Sequence, residues 1–439
     1  MASATMTAPA QLGARRIDDL LPRVSRGVQM AFVVGALLTL LSFVVPAFRE
    51  RVWATYLAAF TFYLGITLGG LFFVVLQHLV RAGWSVVVRR VAEGIALNTK
   101  LLPVLFIPVA VGAYQGHLHP AAAAHADHGA AHAPADPGHA APGDAHAPAD
   151  PAHGAGHGGG HHAPLAPLKA KWLSFPWFLG RMLLFFAIWY GIASYFYGSS
   201  VAQDQDGDPA RTSRMTWWAA PLMIVFALTC SLAGFDLLMA LDPHWYSTMF
   251  GVYFFAGCFL SFMATLIIAF YVLRRHGLAW EVGPEHYHDM GKFMFAFVVF
   301  WAYVAYSQFM LIWYGNIPEE TVWYLRRMEH GWLLVSAWLI VGHFVIPFLA
   351  LLSRFPKRRP ELLVAGSAWV LFVHYIDLQW LILPQPEAAR AVPVPLLDLG
   401  LLLVLGAVYV RSTAANLTGV SLIPERDPRL RDSLAHENF

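Results

Sequence analysis

Apolar runs of about 20 residues recur along this chain at 27–47, 52–80, 86–113, 175–198, 215–241, 245–273, 290–314, 331–352, 362–383 and 394–410. A helix rises about 1.5 Å per residue, so each run is long enough to cross the roughly 30 Å of hydrocarbon in a bilayer. Inside lipid the backbone finds no water, and only a helix or a closed barrel satisfies its own amide and carbonyl groups. The pattern predicts an all-α integral membrane protein with ten transmembrane helices. Composition agrees: 58% of the 439 residues are hydrophobic and 13% are charged, too few charges to coat a soluble core of this size.

The tail at 1–26 carries Arg15, Arg16, Arg23 and Arg26 ahead of the first run, which is too long for a signal-peptide core and reads as an uncleaved first span. Spans 1 to 3 occupy 27–113, an insert occupies 114–170, spans 4 to 10 occupy 171–415, and a second tail covers 416–439. Most of the 29 Lys and Arg residues fall in the two tails and in the loops after spans 2, 4, 6 and 8, among them Arg354, Lys357, Arg358 and Arg359. Positive loops stay in the cytoplasm, which predicts that both termini are cytoplasmic. A net charge of +2 offers no basic surface for nucleic acid.

The insert is built almost wholly of Ala, His, Pro, Gly and Asp, and it holds 11 of the 20 histidines, ending in His161 and His162. It lacks the branched and aromatic residues needed to bury a core, so it reads as a disordered periplasmic loop. Its histidines are irregularly spaced and offer no fixed coordination geometry. Weak Zn or Cu binding is one reading and a solvated low-complexity segment the simpler one.

An ionisable side chain inside a span is expensive, faces the bundle interior and marks function by default. Span 3 carries Glu93 and Lys100, seven residues apart and so expected on one helix face. Arg181 lies in span 4, Asp236 in span 5, His343 in span 8, His374 and Asp377 in span 9, and Asp398 in span 10. With the termini inside, Arg181, Asp236, His374, Asp377 and Asp398 fall in the outer half and His343 near the midplane. His78, Glu93 and Lys100 fall in the inner half or near the middle. Groups at staggered depths are what two aqueous half-paths for protons need, and Tyr303, Tyr306, Ser307 and Gln308 on span 7 are placed to order water between them. The i, i+3 spacing of His374 and Asp377 lets the carboxylate hold the imidazole in one tautomer. These residues read equally well as structural pairs that glue helices together, Arg181 with Asp236 for instance.

Spans 5 and 6 meet at a three-residue corner, Asp242, Pro243 and His244, which sets Asp236, Asp242 and His244 near one membrane face beside Trp245 and Tyr246. The only cysteines, Cys230 and Cys258, both lie in apolar runs. They supply neither the C-x-x-C-H of covalent haem nor a quartet for an iron–sulfur cluster. No span stacks two histidines for a two-haem cytochrome, although His343 and His374 could flank one haem between neighbouring helices. No metal site is expected in the spans.

Two long segments carry a resemblance: LMALDPHWYSTMFGVYFFAG at 238–257 and FWAYVAYSQFMLIWYGNIPEETVWYLRR at 300–327. With the ten-span layout they resemble the ActF subunits of bacterial alternative complex III, which belong among the NrfD and polysulfide-reductase membrane-subunit-like proteins. The resemblance runs from span 1 to span 10 and leaves out the His-rich insert. It implies two four-helix bundles, spans 2 to 5 and spans 6 to 9, with spans 1 and 10 outside them. It implies a respiratory-chain complex of the bacterial cytoplasmic membrane that oxidises menaquinol or ubiquinol and reduces a periplasmic cytochrome c or a terminal oxidase. Haem c and iron–sulfur clusters then belong to partners: an NrfD-like paralogous membrane subunit (ActC), which is the better candidate for the quinol site, an iron–sulfur subunit, and multihaem and monohaem cytochrome c subunits. This chain is expected to carry no redox cofactor and no catalytic centre of its own.

On that reading the chain supports the quinol-oxidising subunit and conducts protons through Asp236, His374, Asp377 and Asp398 on the outer side and Glu93 and Lys100 on the inner side. A purely structural scaffold of the same complex stays open as a second reading. An independent secondary transporter is a third, and it would call for broken helices at matched positions of inverted repeats, which the Gly and Pro positions do not offer.

Overall fold

The computed structural model describes residues 16–44, 51–118, 165–384 and 395–437. The first 15 residues and most of the His-rich insert, including His161 and His162, lie outside the described residues, and so does the expected disordered loop. Described residues form helices and loops with no strand among them. In chain order the helices are α1 (Leu21–Ser42), α2 (Val52–Leu79), α3 (Val86–Ala96), α4 (Leu102–Tyr114), α5 (Pro167–Leu173), α6 (Phe175–Asp206), α7 (Pro209–Leu237) and α8 (Phe250–Arg275). They continue as α9 (Pro284–Gly315), α10 (Pro318–Arg326), α11 (Trp332–Leu339), α12 (Ile346–Leu352), α13 (Arg354–Arg358), α14 (Pro360–Ile382), α15 (Pro395–Asn416) and α16 (Leu430–Leu434). Nine helices among the described residues are long and apolar enough to cross a membrane, with α11 and α12 counted as one, and α3 with α4 pass the same test as a pair bent by 42°.

The bend has a local cause. Pro103, at the start of α4, has no N–H to offer the carbonyl four residues back, so the chain tightens into a 3-10 turn at Leu97–Lys100 and restarts in a new direction. Glu93 is fully buried before the turn, whereas Lys100 is exposed after it. The expectation that these two share a face is therefore corrected, because seven residues return to one face only along an unbroken helix.

At the centre lie α2 and α8, whose most apolar stretches are 83% and 72% buried. α8 packs along α2, α14 and α9, while α2 also holds α3, α7 and α15. The α2–α8 contact is close because Gly69 has no side chain: a Cβ there would lie 2.3 Å from the Cys258 carbonyl oxygen. α1 is at the other extreme. Only 6% of its apolar stretch is covered, and it leans on α15, where Gly35 faces the Gly400 carbonyl.

The corner between spans 5 and 6 is longer than three residues. α7 ends at Leu237, a 3-10 turn follows at Met239–Leu241, and α8 begins only at Phe250. Trp245, expected to start span 6, instead stacks on Trp323 at 4.5 Å and donates its indole N–H to the Glu320 carbonyl at 3.1 Å. The segment around α10 thus folds over the corner. Arg326 pairs with Asp242 at 2.5 Å, and the second carboxylate oxygen of Asp242 accepts the backbone N–H of His244, which is itself exposed.

At the opposite end the C-terminal segment is folded down onto the helices. Ser433 donates to the Trp84 carbonyl at 2.6 Å, its own carbonyl meets the His286 ring at 3.0 Å, and His436 meets Asp289 at 2.6 Å.

Candidate functional site: a buried His, His, Asp cluster and its flanking polar networks

Three helices bring one ionisable cluster together. His374 and Asp377 come from adjacent turns of α14, with the His374 Nδ1 3.7 Å from Asp377 Oδ2. His343 comes from the six-residue π segment Ile340–Val345 between α11 and α12. Pro347 explains the segment: its ring displaces the His343 carbonyl four residues earlier and leaves it no N–H, so the ladder widens there. The Gly342 carbonyl beside it is taken by the indole of Trp369 at 2.8 Å. The widened turn sets His343 with its ring centre 3.9 Å from that of Trp301 and 5.8 Å from that of His374.

Asp377 is held from two further helices. Tyr253 on α8 donates its hydroxyl to Oδ1, and Trp301 on α9 donates its indole N–H to Oδ2 at 3.2 Å. Neither donor was singled out from sequence, where both read as packing aromatics. The two imidazoles are less well served: both nitrogens of His343 and Nδ1 of His374 are buried without a hydrogen-bond partner. A buried polar group in that condition costs about 1–3 kcal/mol and calls for an explanation. Beside His374 and Asp377 lies a cavity of about 10 Å³, bounded also by Thr61, Gly65, Tyr253, Gly257 and Cys258, which is room for one water. It has no room for a quinone ring, nor for a haem between His343 and His374. The donor atoms of His343, His374 and Asp377 do lie within 4.8 Å of one another, the one such group of three among the described residues.

The remaining predicted residues fall into separate networks. Arg181 and Asp236 form a two-pronged pair with both N–H to O distances at 2.8 Å, and the guanidinium also covers the Trp172 ring and donates to the Trp172 carbonyl. Asp398 faces Arg51, Thr55, Tyr375 and Gln379. Glu93 is gripped by two fully buried arginines, Arg89 at 3.0 Å and Arg90 at 3.2 Å, which reach on to Asp427 at 2.6 Å and Asp204 at 2.7 Å. Burial alone would raise the Asp427 carboxyl, but Arg89 and Arg429 beside it hold it well below the usual carboxylate range. His78, fully buried against Phe196, has no partner for either ring nitrogen. On α9, Tyr303 and Tyr306 are exposed on the outer surface rather than turned toward the cluster, which corrects their expected place. Only Gln308 of that set is buried, bonded to Ser247 and Tyr324.

Two features escaped the sequence reading. One is a polar seam where α15 meets α2 and α3: Tyr63 packs on Tyr409, the Tyr409 hydroxyl bonds Thr67 at 2.9 Å, Asn98 donates to Thr413 at 2.6 Å, and Asn416 donates to Asn98 and to the Gly94 carbonyl. Tyr375 and Asp398 lie beyond Tyr63 at one end, and Glu93 adjoins Gly94 at the other. Tyr409, Thr413 and Asn416 recur on α15 at spacings of four and three that return to one face, a signal hidden by the apolar majority. The other is Arg327, buried between the Trp323 and Trp380 rings and donating to the carbonyls of Trp323, Trp380 and Leu381 at 2.9–3.0 Å. Burial lowers its pKa from the ordinary arginine value, and the carbonyls with the indole faces stand in for water.

No protein-family model matches the chain, and no curated protein matches it.

Proposed function

We propose that this chain is a non-redox membrane subunit of a quinol:electron acceptor oxidoreductase complex of the ActF type, and that it provides a path for protons. The single observation that carries the proton part is the cluster in which buried His343, with neither ring nitrogen partnered, and His374, with Nδ1 unpartnered, converge on Asp377, with room for one water beside His374 and Asp377. A neutral imidazole both accepts and releases a proton, and the carboxylate held by Tyr253 and Trp301 stabilises the charged form in between. From there the polar seam leads along α15 toward Glu93. Arg181 and Asp236, closed upon each other, serve to fasten α6 to α7 and leave conduction to the other groups.

The quinol site and the redox centres belong, on this reading, to partners: an NrfD-like membrane subunit, an iron–sulfur subunit and cytochrome c subunits, with menaquinol or ubiquinol as donor. Cys230 and Cys258, both buried and outside any disulfide, are too few to supply the four thiolates of an iron–sulfur cluster. Spans 2 to 5 and 6 to 9 form the two four-helix bundles in this arrangement, meeting at α2 and α8, with α1 and α15 outside. Both termini face the bacterial cytoplasm.

The test is Asp377→Asn in the complex purified from its own membranes and placed in vesicles. Quinol oxidation should persist while proton release per electron falls. If the assembled variant releases protons and turns over like the parent, the chain is a scaffold and the conduction reading fails.

A further inference from the structure

His343 is the least served side chain of the cluster: it is 2% exposed, and neither ring nitrogen has a hydrogen-bond partner. The one-water cavity does not answer for it, because that space is lined by His374 and Asp377 but not by His343. A group that does answer must reach all three residues, whose donor atoms lie within 4.8 Å of one another. A metal ion does this. In a tetrahedral zinc site the nitrogen and oxygen ligands stand about 2.0–2.2 Å from the ion, and so roughly 3.4 Å from each other. His374 Nδ1 and Asp377 Oδ2, at 3.7 Å, are already close to that spacing. His343 rides on the widened turn Ile340–Val345, and π turns of this kind recur at functional sites.

We infer that His343, His374 and Asp377 form a binding site for one divalent transition ion, zinc being the ion these donors fit best, with a water in the adjoining cavity as fourth ligand. Two imidazoles and a carboxylate suit zinc, whereas calcium and magnesium take six or more ligands, nearly all oxygen. Asp377 is oriented for the role by its hydrogen bonds from Tyr253 and Trp301, the outer support that ligating carboxylates commonly have. His343 is held by packing instead, its ring centre 3.9 Å from that of Trp301. Zinc ionises a water bound to it, the proton leaving to solvent, so carboxylate and hydroxide together neutralise the ion in an interior that tolerates little net charge. Spacing along the chain predicts no metal site in the spans, because the third donor comes from another helix. The inference goes beyond the proposed function and stands without it. The two meet at one point: zinc on the two rings occupies the lone pairs that a passing proton needs, so a loaded site should halt proton release.

The test uses the protein as purified from native membranes with whatever partners it carries, stripped with a chelator and reloaded with zinc chloride. The insert at 114–170 holds 11 histidines that can take zinc of their own, so every reading is a difference between parent and variant. His343→Leu and His343→Gln should each bind one zinc ion fewer per chain than the parent. The difference in zinc-edge X-ray absorption should show four nitrogen or oxygen neighbours at about 2.0–2.2 Å. His343→Leu removes two unpartnered buried nitrogens, so the stripped variant should unfold at or above the midpoint of the stripped parent. Added zinc should then raise the midpoint of the parent more than that of the variant. Equal zinc in parent and variants, an equal rise in midpoint, or a leucine variant that fails to assemble where the stripped parent stays intact would overturn the inference. The two proposals fail separately. Zinc bound at the cluster with proton release unaltered removes the conduction reading alone. No zinc difference, with proton release lost in Asp377→Asn, removes this one alone.

Discussion

Gly257 and His374 approach so closely that a Cβ on the glycine would lie 2.5 Å from Cε1 of the imidazole. α8 thus leaves a notch that fixes where the His374 ring can stand. Gly257→Ala should push the ring from Asp377 and fill part of the one-water cavity. The expected cost is about 1–3 kcal/mol of stability, read as a fall in the thermal midpoint, with a matching loss of proton release by the assembled complex.

Tyr253→Phe removes the hydroxyl that holds Asp377 Oδ1 and leaves a buried carboxylate oxygen unpaired. The change keeps the ring and its packing on Trp301. A destabilisation of about 1–3 kcal/mol is expected, together with a proton-release profile displaced along the pH axis. An unchanged profile would show that Asp377 takes no proton during turnover.

Tyr409→Phe cuts the seam between α15 and α2 at the Thr67 hydroxyl. Stability should fall by only about 0.5–1.5 kcal/mol, while proton release slows well beyond what that loss explains. Normal release would place the inner half of the path elsewhere.

Asp427 ties the C-terminal segment to Arg89. Its carboxyl is depressed in the folded protein, so its contribution to stability is present above the unfolded value of about 3.9 and is lost only as pH falls through the lower folded value. The tail should stay docked through mild acid. Asp427→Asn should release it at neutral pH, because breaking a buried pair by removing one partner costs about 3–5 kcal/mol. Hydrogen exchange across 421–436 distinguishes the two states.

Arg327→Gln removes a cation from the C-terminal carbonyls of α14, where the helix dipole is negative. A loss of about 2 kcal/mol is expected, with faster exchange in the last turn of α14. Arg327→Lys should recover little, since a single ammonium does not span three carbonyls in one plane.

The legible part of the candidate site was the part that is local. His374 and Asp377 lie on adjacent turns of one helix, and their pairing follows from a spacing of three residues. Arg181 with Asp236 was likewise a pair that charge alone suggested, and the structure closes it. His343, Tyr253 and Trp301 reach the cluster from helices far apart in the chain, so no spacing announces them. Tyr303 and Tyr306 misled for the related reason that a span apolar on every side gives no sign of which face turns inward. In water an amphipathic stripe would reveal it; in lipid both faces are apolar.

By itself, the sequence determined that the chain is a set of long apolar helices, where most of them begin and end, and which ionisable side chains sit within them. A backbone in hydrocarbon has few ways to satisfy its own hydrogen bonds, and run length alone selects the helix. Tertiary structure decided which of those side chains meet. It turned Lys100 away from Glu93 at the Pro103 break, folded the C-terminal segment onto Arg89, and widened the turn that brings His343 to His374. Each depends on the rotation of one helix against another, which is set by close packing between residues distant in the chain and not by any local preference.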